Sequence, residues 1–397
     1  MRGSITVLAV VLLCAGCGTV DSRQRLGTAA RTIRIGPSGP TDVSGDCARI
    51  QRSLDRAQGR PAIVQFAPGD YVLADPDGIR VPPHTTLLMD GARFILDESI
   101  NRDGQAFLLD GVSDVSLRGG EIAGSRDAWN PGTNVAGIRV TGNSRNIHIS
   151  DLTCRNLSSN AVGVFGTGDE APIRNVALVH VTGINCCNTY IDYLQPNKGP
   201  VPGSDRRDQG TAALYHVDGW TVDACRFEGS QSDGTHFFRC RNGSFSGSAV
   251  TGSRMGGYFL EGCERVTATG NVIRDNGSRG ATIERDSRFC ILSGNVITGS
   301  GREGLWAPDV EAILVSGNVF EENGRKDDGE KDCEIRLDDT AEFSAVTRDI
   351  RIEDNIFRTA AHQTAAVLFG PGVAAMALDN NTFTGPAPRS ASAAGTP

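Results

Sequence analysis

The chain has 397 residues and a net charge of −8. No basic face speaks for nucleic acid as a partner, and a polyanion would need a local basic cleft or a bound cation. The 49 glycines, with recurring Asn-Gly, Asp-Gly and Ser-Gly pairs, argue against a helical fold and predict many turns between short strands.

The first elements are targeting signals. Arg2 precedes an apolar run from Ile5 to Leu13, which has the size of a signal-peptide core and is too short to span a bilayer. The "CAGC" that follows, residues 14–17, resembles the lipobox of bacterial lipoproteins. The resemblance implies cleavage before Cys17 and lipidation of that residue, although the usual box has Leu where this chain has Cys14. An ordinary secretory signal cut near Ala15 is the other reading. Either implies export. The expectation is a signal peptide over 1–16 and a polar, lipidated tether over 17–31. The chain would then be held at the cell surface or in the periplasm through its lipid anchor only, or otherwise be secreted. Beyond Cys14 and Cys17, nine further cysteines contain no Cys-x-x-Cys pair, and they read as small buried hydrophobes.

A short amphipathic helix is predicted in "GDCARIQRSLDRA", with Asp46 as its cap and Ala48, Ile50 and Leu54 as its apolar stripe. After it the chain becomes repetitive. "VTATGNVI", "CILSGNVI", "ILVSGNVF", "IRIEDNIF" and "MALDNNTF" place Asn271, Asn295, Asn318, Asn355 and Asn381 at separations of 24, 23, 37 and 26 residues. Self-similarity near one period marks a solenoid. No such repeat can bury its apolar face alone, so coils must stack, and like residues then align into a ladder of structural asparagines.

The Asn ladder, the coil length and "AIVQFAPGDYVL" (62–73) resemble the right-handed parallel β-helix of the pectate-lyase-like superfamily. The resemblance implies an all-β, single-stranded right-handed parallel β-helix over 32–386, of about ten coils, closed at its N-terminal end by the helix. Residues 387–397 are then a disordered tail. The superfamily spans lyases, hydrolases, epimerases and phage spikes, so the fold alone does not choose a function.

The face that could carry chemistry follows from alternation. In the stacked segments "GTHFFR", "GGYFLEG", "GATIER", "GLWAPD" and "CEIRLD", Phe237, Leu260, Ile283, Leu305 and Ile335 point inward. His236, Phe238, Phe259, Glu261, Glu284, Trp306 and Arg336 then point out. Aromatics beside carboxylates suit a sugar-binding cleft. Glu261 and Glu284 fall on successive coils, as an acid–base pair would, and could equally hold Ca²⁺; no other cofactor is indicated. Otherwise they are a solvated acidic stripe paired with Arg285 or Arg279. In "SQSDGTHFFRC", His236 suits proton transfer and Asp233 either partners it or merely starts the strand. A sugar ring would fit in a gap between His236 and Glu261. The insertion between Asn188 and Val217 brings Arg206 and Arg207 toward the cleft and returns through Tyr215. It is read as a lid or as a source of substrate contacts.

Catalysis is therefore expected from His236, Asp233, Glu261, Glu284 and Tyr215. Substrate contacts are expected from Trp306, Phe238, Phe259, Arg336, Arg206 and Arg207. The expected protein is an exported polysaccharide lyase or glycoside hydrolase, and the alternative is a glycan-binding or scaffold lipoprotein without turnover.

Overall fold

The computed structural model describes residues 30–38, 46–57, 59–130, 133–188, 209–326, 332–340 and 342–392. Cys17, Arg206 and Arg207 lie outside the described residues.

Each coil contributes one strand to each of three parallel sheets, of 13, 12 and 12 strands. Apart from the first two, Arg31–Ile35 and Ala62–Phe66, which pair with each other, consecutive strands fall in different sheets, and each pairs in register with its counterpart one coil on. The fold is the expected right-handed parallel β-helix. It has about twelve coils rather than ten. Through the C-terminal half, Arg241, Glu264, Arg288 and Glu311 are successive partners 23, 24 and 23 residues apart, so coils there are short. At about 4.8 Å per coil the rod is about 58 Å long.

The interior is a continuous apolar column, including Phe107, Leu214, Phe237, Leu260, Ile283 and Leu305, all essentially without solvent contact. Trp220 stacks against Phe237 at 4.6 Å. Its indole crosses the space where a Cβ at Gly243 would sit only 1.9 Å from Cε2, so that coil needs glycine. The asparagine ladder is present. Asn271, Asn295, Asn318 and Asn355 each donate an amide N–H to the next rung, at 2.9, 2.9, 2.9 and 3.0 Å, the last onto Asn381. Each also donates to a buried carbonyl that the bend leaves open, such as Ala268 from Asn295 at 3.0 Å. A second column runs at another corner, where Asn323 Nδ2 donates to Glu334 Oε2 at 2.5 Å. The repeated phrase did not reveal it.

The ends differ from expectation in detail. The helix Cys47–Asp55 buries Cys47, Ile50 and Leu54, whereas Ala48 is exposed. Asp46 makes no side-chain cap. Its carboxylate instead accepts the Val72 N–H at 2.9 Å and pairs with Arg49, tying the helix to the first coils. At the other end Ser390–Ser392 adds a strand to the stack, so part of the expected tail is ordered by the edge it extends. All nine cysteines of the described residues are buried and unbridged.

Candidate functional site

The strands Ala212–Tyr215, Thr235–Phe238, Tyr258–Glu261, Ala281–Glu284, Leu305–Pro308 and Cys333–Asp338 are neighbours in one sheet. Phe238 lies against Glu261, and Glu261 against Glu284. Thr282 lies against Trp306, and Trp306 against Arg336. This is the expected register, with Phe237, Leu260 and Ile283 inside and the polar row outside. The row is not solvated, however. His236 is fully buried, and Glu261, Glu284 and Asp233 are 5, 3 and 3 % exposed.

The buried row is a connected chain of polar contacts. Tyr215 Oη lies 2.8 Å from His236 Nδ1, and His236 Nε2 lies 3.2 Å from Glu261 Oε2. Arg285 Nη1 donates to Glu261 Oε1 at 2.6 Å, and Arg285 Nε lies 3.1 Å from Glu284 Oε1. A carboxylate paired with a guanidinium only accepts, so Nε2 carries a proton and donates to Glu261. In the neutral imidazole Nδ1 then accepts from the Tyr215 hydroxyl, and in the imidazolium that bond reverses. Phe259 holds the ring flat, parallel within 4° at 4.5 Å, and Phe165 meets Tyr215 edge-on at 5.5 Å.

Four expectations change. No sugar-wide gap separates His236 from Glu261, because the long glutamate side chain closes the two-residue offset. One face of Phe259 is covered by the imidazole and is not an open sugar platform. Asp233 works at the turn: its Oδ1 accepts the Gly256 N–H at 2.8 Å, while His236 bonds Tyr215 and Glu261. Nor do Glu261 and Glu284 fit a Ca²⁺ site, since Arg285 binds both. Among the described residues, no three His, Cys, Asp or Glu side chains are arranged to hold a metal ion.

Beside the row, a cavity of about 390 Å³ runs along the turns that follow the site strands. Its lining is charged but balanced, with Arg239, Arg241, Arg285 and Arg288 alongside Asp169, Glu264, Asp286 and Glu311. Asp169 accepts from His216 Nδ1 at 2.7 Å and from Arg239 Nη1 at 3.1 Å. Burial, the largest single influence, pushes its carboxyl up, but His216 and Arg239 together hold it below the usual range. Phe343 stands near the cavity, 38 % exposed, with Arg285 over its ring at 5.5 Å. Phe238 packs on Tyr215 and His216 and is half-buried.

Farther along the sheet, Trp306 and Arg336 belong to a second network. Trp306 Nε1 donates to Asp338 Oδ2 at 2.6 Å, and Arg336 Nε donates to the same oxygen at 2.7 Å. Arg279 lies 3.9 Å over the indole and pairs with Glu303. Burial pushes the Glu303 carboxyl up, with Arg279 opposing. Trp306 is therefore braced on one face. Asp169, Arg239 and Phe343 are the site residues that strand alternation could not point to, because they sit on turns; Arg285, also on a turn, was expected only as an ion-pair partner of the glutamates, which it is.

Residues 211–329 match the family model described as a right handed beta helix region, a stretch that holds Tyr215, His236, Glu261, Glu284 and Trp306. A search of curated proteins finds no match. Among solved structures the chain is similar to the A-module of a mannuronan C-5 epimerase of Azotobacter vinelandii, at 15 % identity and TM-score 0.64, over 89 % of this chain and 96 % of that one. It is also similar to a surface adhesin of Streptococcus pneumoniae, at 12 % identity and TM-score 0.64, over 91 and 92 %. A tailspike protein of the E. coli bacteriophage HK620, in complex with a pentasaccharide, matches at 13 % identity and TM-score 0.57, over 88 and 62 %. At identities this low the structural likeness shows the fold alone.

Proposed function

We propose that the protein acts on a polysaccharide as a lyase, with Tyr215 as the group that moves the proton. The observation that carries this reading is the buried chain Tyr215–His236–Glu261. In it the imidazole takes the phenolic proton, and Glu261 stabilises the imidazolium that results. The phenolate then removes the proton beside a uronate carboxylate. The electron pair left behind forms the sugar double bond, the glycosidic C–O bond breaks, and the leaving oxygen takes the proton back from Tyr215. In this reading Arg239 and Arg285, which line the cavity, exchange part of their pairing with Asp169 and the glutamates for the uronate carboxylate. A glycosidase using the two glutamates is disfavoured, because both are tied to one guanidinium and a general acid must carry a proton. The mannuronan epimerase and the pentasaccharide-bound tailspike among the neighbours support a glycan as ligand.

Incubation with uronate-containing and neutral polysaccharides, with and without Ca²⁺, tests it. An ultraviolet-absorbing unsaturated product is expected. New reducing ends without absorbance would indicate a hydrolase instead. Unchanged polymer on every substrate favours the second reading, a glycan-binding rod without turnover, for which the burial of His236 speaks. The same proposal places the protein outside the cytoplasm with lipid on Cys17. Mass spectrometry of the mature N-terminal peptide checks this, and an unmodified Cys17 would sink it.

A further inference from the structure

The third sheet, which carries none of the site residues, presents a straight aliphatic stripe to the outside. Ala249, Val272, Val296, Val319 and Ile356 are successive in-register partners. Val272, Val296 and Ile356 are 40, 36 and 48 % exposed. Across five coils the stripe is about 19 Å long. Scattered exposed valines need no explanation, but an aligned column of them is a patch.

A second feature coincides with it. The turns before Ala249, Val272, Val296 and Val319 carry Gly247, Gly270, Gly294 and Gly317, all with φ between +55 and +67°. The left-handed turn favours glycine there but does not demand it, and space does not require it. The equivalent turns of other coils hold Asp151, His180, Ala224, Asp354 and Asn380 in the same left-handed conformation. A Cβ would meet nothing within 4 Å at Gly270 or Gly294. Four consecutive coils thus lack a turn side chain beside the stripe, which leaves a smooth shelf along its edge. Along the other edge runs a column containing Arg274, Thr298, Glu321 and Arg358 on consecutive coils, in which Arg358 pairs with Glu321 at 2.7 Å.

We propose that this face docks a second copy of the same chain, antiparallel, about a two-fold axis along the strand that holds Val296. Reversing the coil order about that strand sets Val296 on itself and Val272 on the partner's Val319. Ala249 meets the partner's Ile356, small against large. Arg274 faces the partner's Glu321, and by symmetry Glu321 faces the partner's Arg274. The glycine shelves let the two sheets approach closely. An isologous contact needs self-complementarity of this kind, and one reversal about the Val296 strand sets the apolar column on itself and Arg274 against Glu321.

Sedimentation equilibrium of the full-length chain over a range of concentrations tests the proposal. A monomer–dimer equilibrium is expected, with Val296→Lys weakening it by roughly tenfold or more. Val296 is exposed, so circular dichroism should report an unchanged fold. Arg274→Glu and Glu321→Arg should each weaken the dimer, and together in one chain they should restore it. A monomer at every concentration overturns the proposal, as does a dimer indifferent to Val296→Lys. If that monomer instead co-sediments with phospholipid vesicles, and Val296→Lys abolishes the binding, the stripe serves a lipid surface.

Discussion

His236 Nε2 and Glu261 Oε2 touch at 3.2 Å, although the two residues lie on different coils and two positions apart along the strand. The contact makes Glu261 an orienting group for the imidazole rather than an independent acid. In the proposed lyase, Tyr215 is then the member of the chain that meets the substrate proton. Tyr215→Phe removes the phenolic O–H while keeping the ring against Phe165. Turnover of whichever polysaccharide proves to be the substrate should fall by about 10²- to 10⁴-fold with little change in binding. Comparable turnover in the variant would remove Tyr215 from the mechanism.

Arg285 bridges Glu261 and Glu284, at 2.6 and 3.1 Å. Arg285→Met leaves two stacked, buried carboxylates without their cation. Thermal unfolding should show a loss of about 3 kcal/mol. Adding Glu284→Gln should recover part of it, because one of the two repelling charges is then gone. Additive losses would mean that the two glutamates do not interact through the arginine.

Glu334 sits in a ladder column whose neighbouring rung is the amide of Asn323, and burial pushes its carboxyl up from 4.5 to about 7. Asn323 and Gln363 donate to it and act in the opposite direction. A folded-state pKa above the unfolded one means the native state holds the extra proton between those values. The stabilisation is therefore complete below pH about 4.5 and is lost as pH rises through about 7. The melting temperature should drop between about pH 5 and pH 8, by the equivalent of about 1–3 kcal/mol. Glu334→Gln should flatten that slope. An equally steep decline in the variant would assign it elsewhere, Glu303 being the next candidate.

Asn295 accepts from the Asn271 side chain and backbone and donates to Ala268, Ser293 and Asn318. Asn295→Ala strands several buried polar groups at once and should destabilise the protein by about 2–4 kcal/mol. Because each coil touches only its neighbours, hydrogen exchange should rise mainly in the coils around residues 271–318. Uniform loss of protection along the rod would contradict a ladder that acts locally.

Much of this molecule was legible in the sequence because a solenoid writes its fold as a period. The Asn-bearing phrase revealed the stacking, and strict alternation placed His236, Glu261, Glu284 and Trp306 outside. What alternation cannot convey is reach. It says which way Glu261 points, not that its carboxylate crosses to the preceding coil's imidazole in a row sealed from water. Residues at turns were hidden for the same reason: Arg239 and Asp169 follow no period of two, and Arg285 was legible only as an ion-pair partner of the two glutamates. Glu334 escaped because the ladder was sought as repeated asparagine, while its column mixes amide and acid. Coil number was underestimated because the insertion at 188–217 lengthens the average spacing that the short coils after Val217 do not share.

The burial of the nine cysteines makes the described rod chemically quiet. Burial pushes the thiols of Cys186, Cys225 and Cys290 up to about 12. The sulfur species that attacks disulfides, peroxides or soft metals is the thiolate, and at neutral pH such a group is ionised roughly once in 10⁵ molecules. A rod of this composition could pass through an oxidising compartment rich in exchange catalysts without being cross-linked or reshuffled. Its redox indifference would last only as long as the coils stay closed, so the first coil to fray would also be the first to be trapped by oxidation.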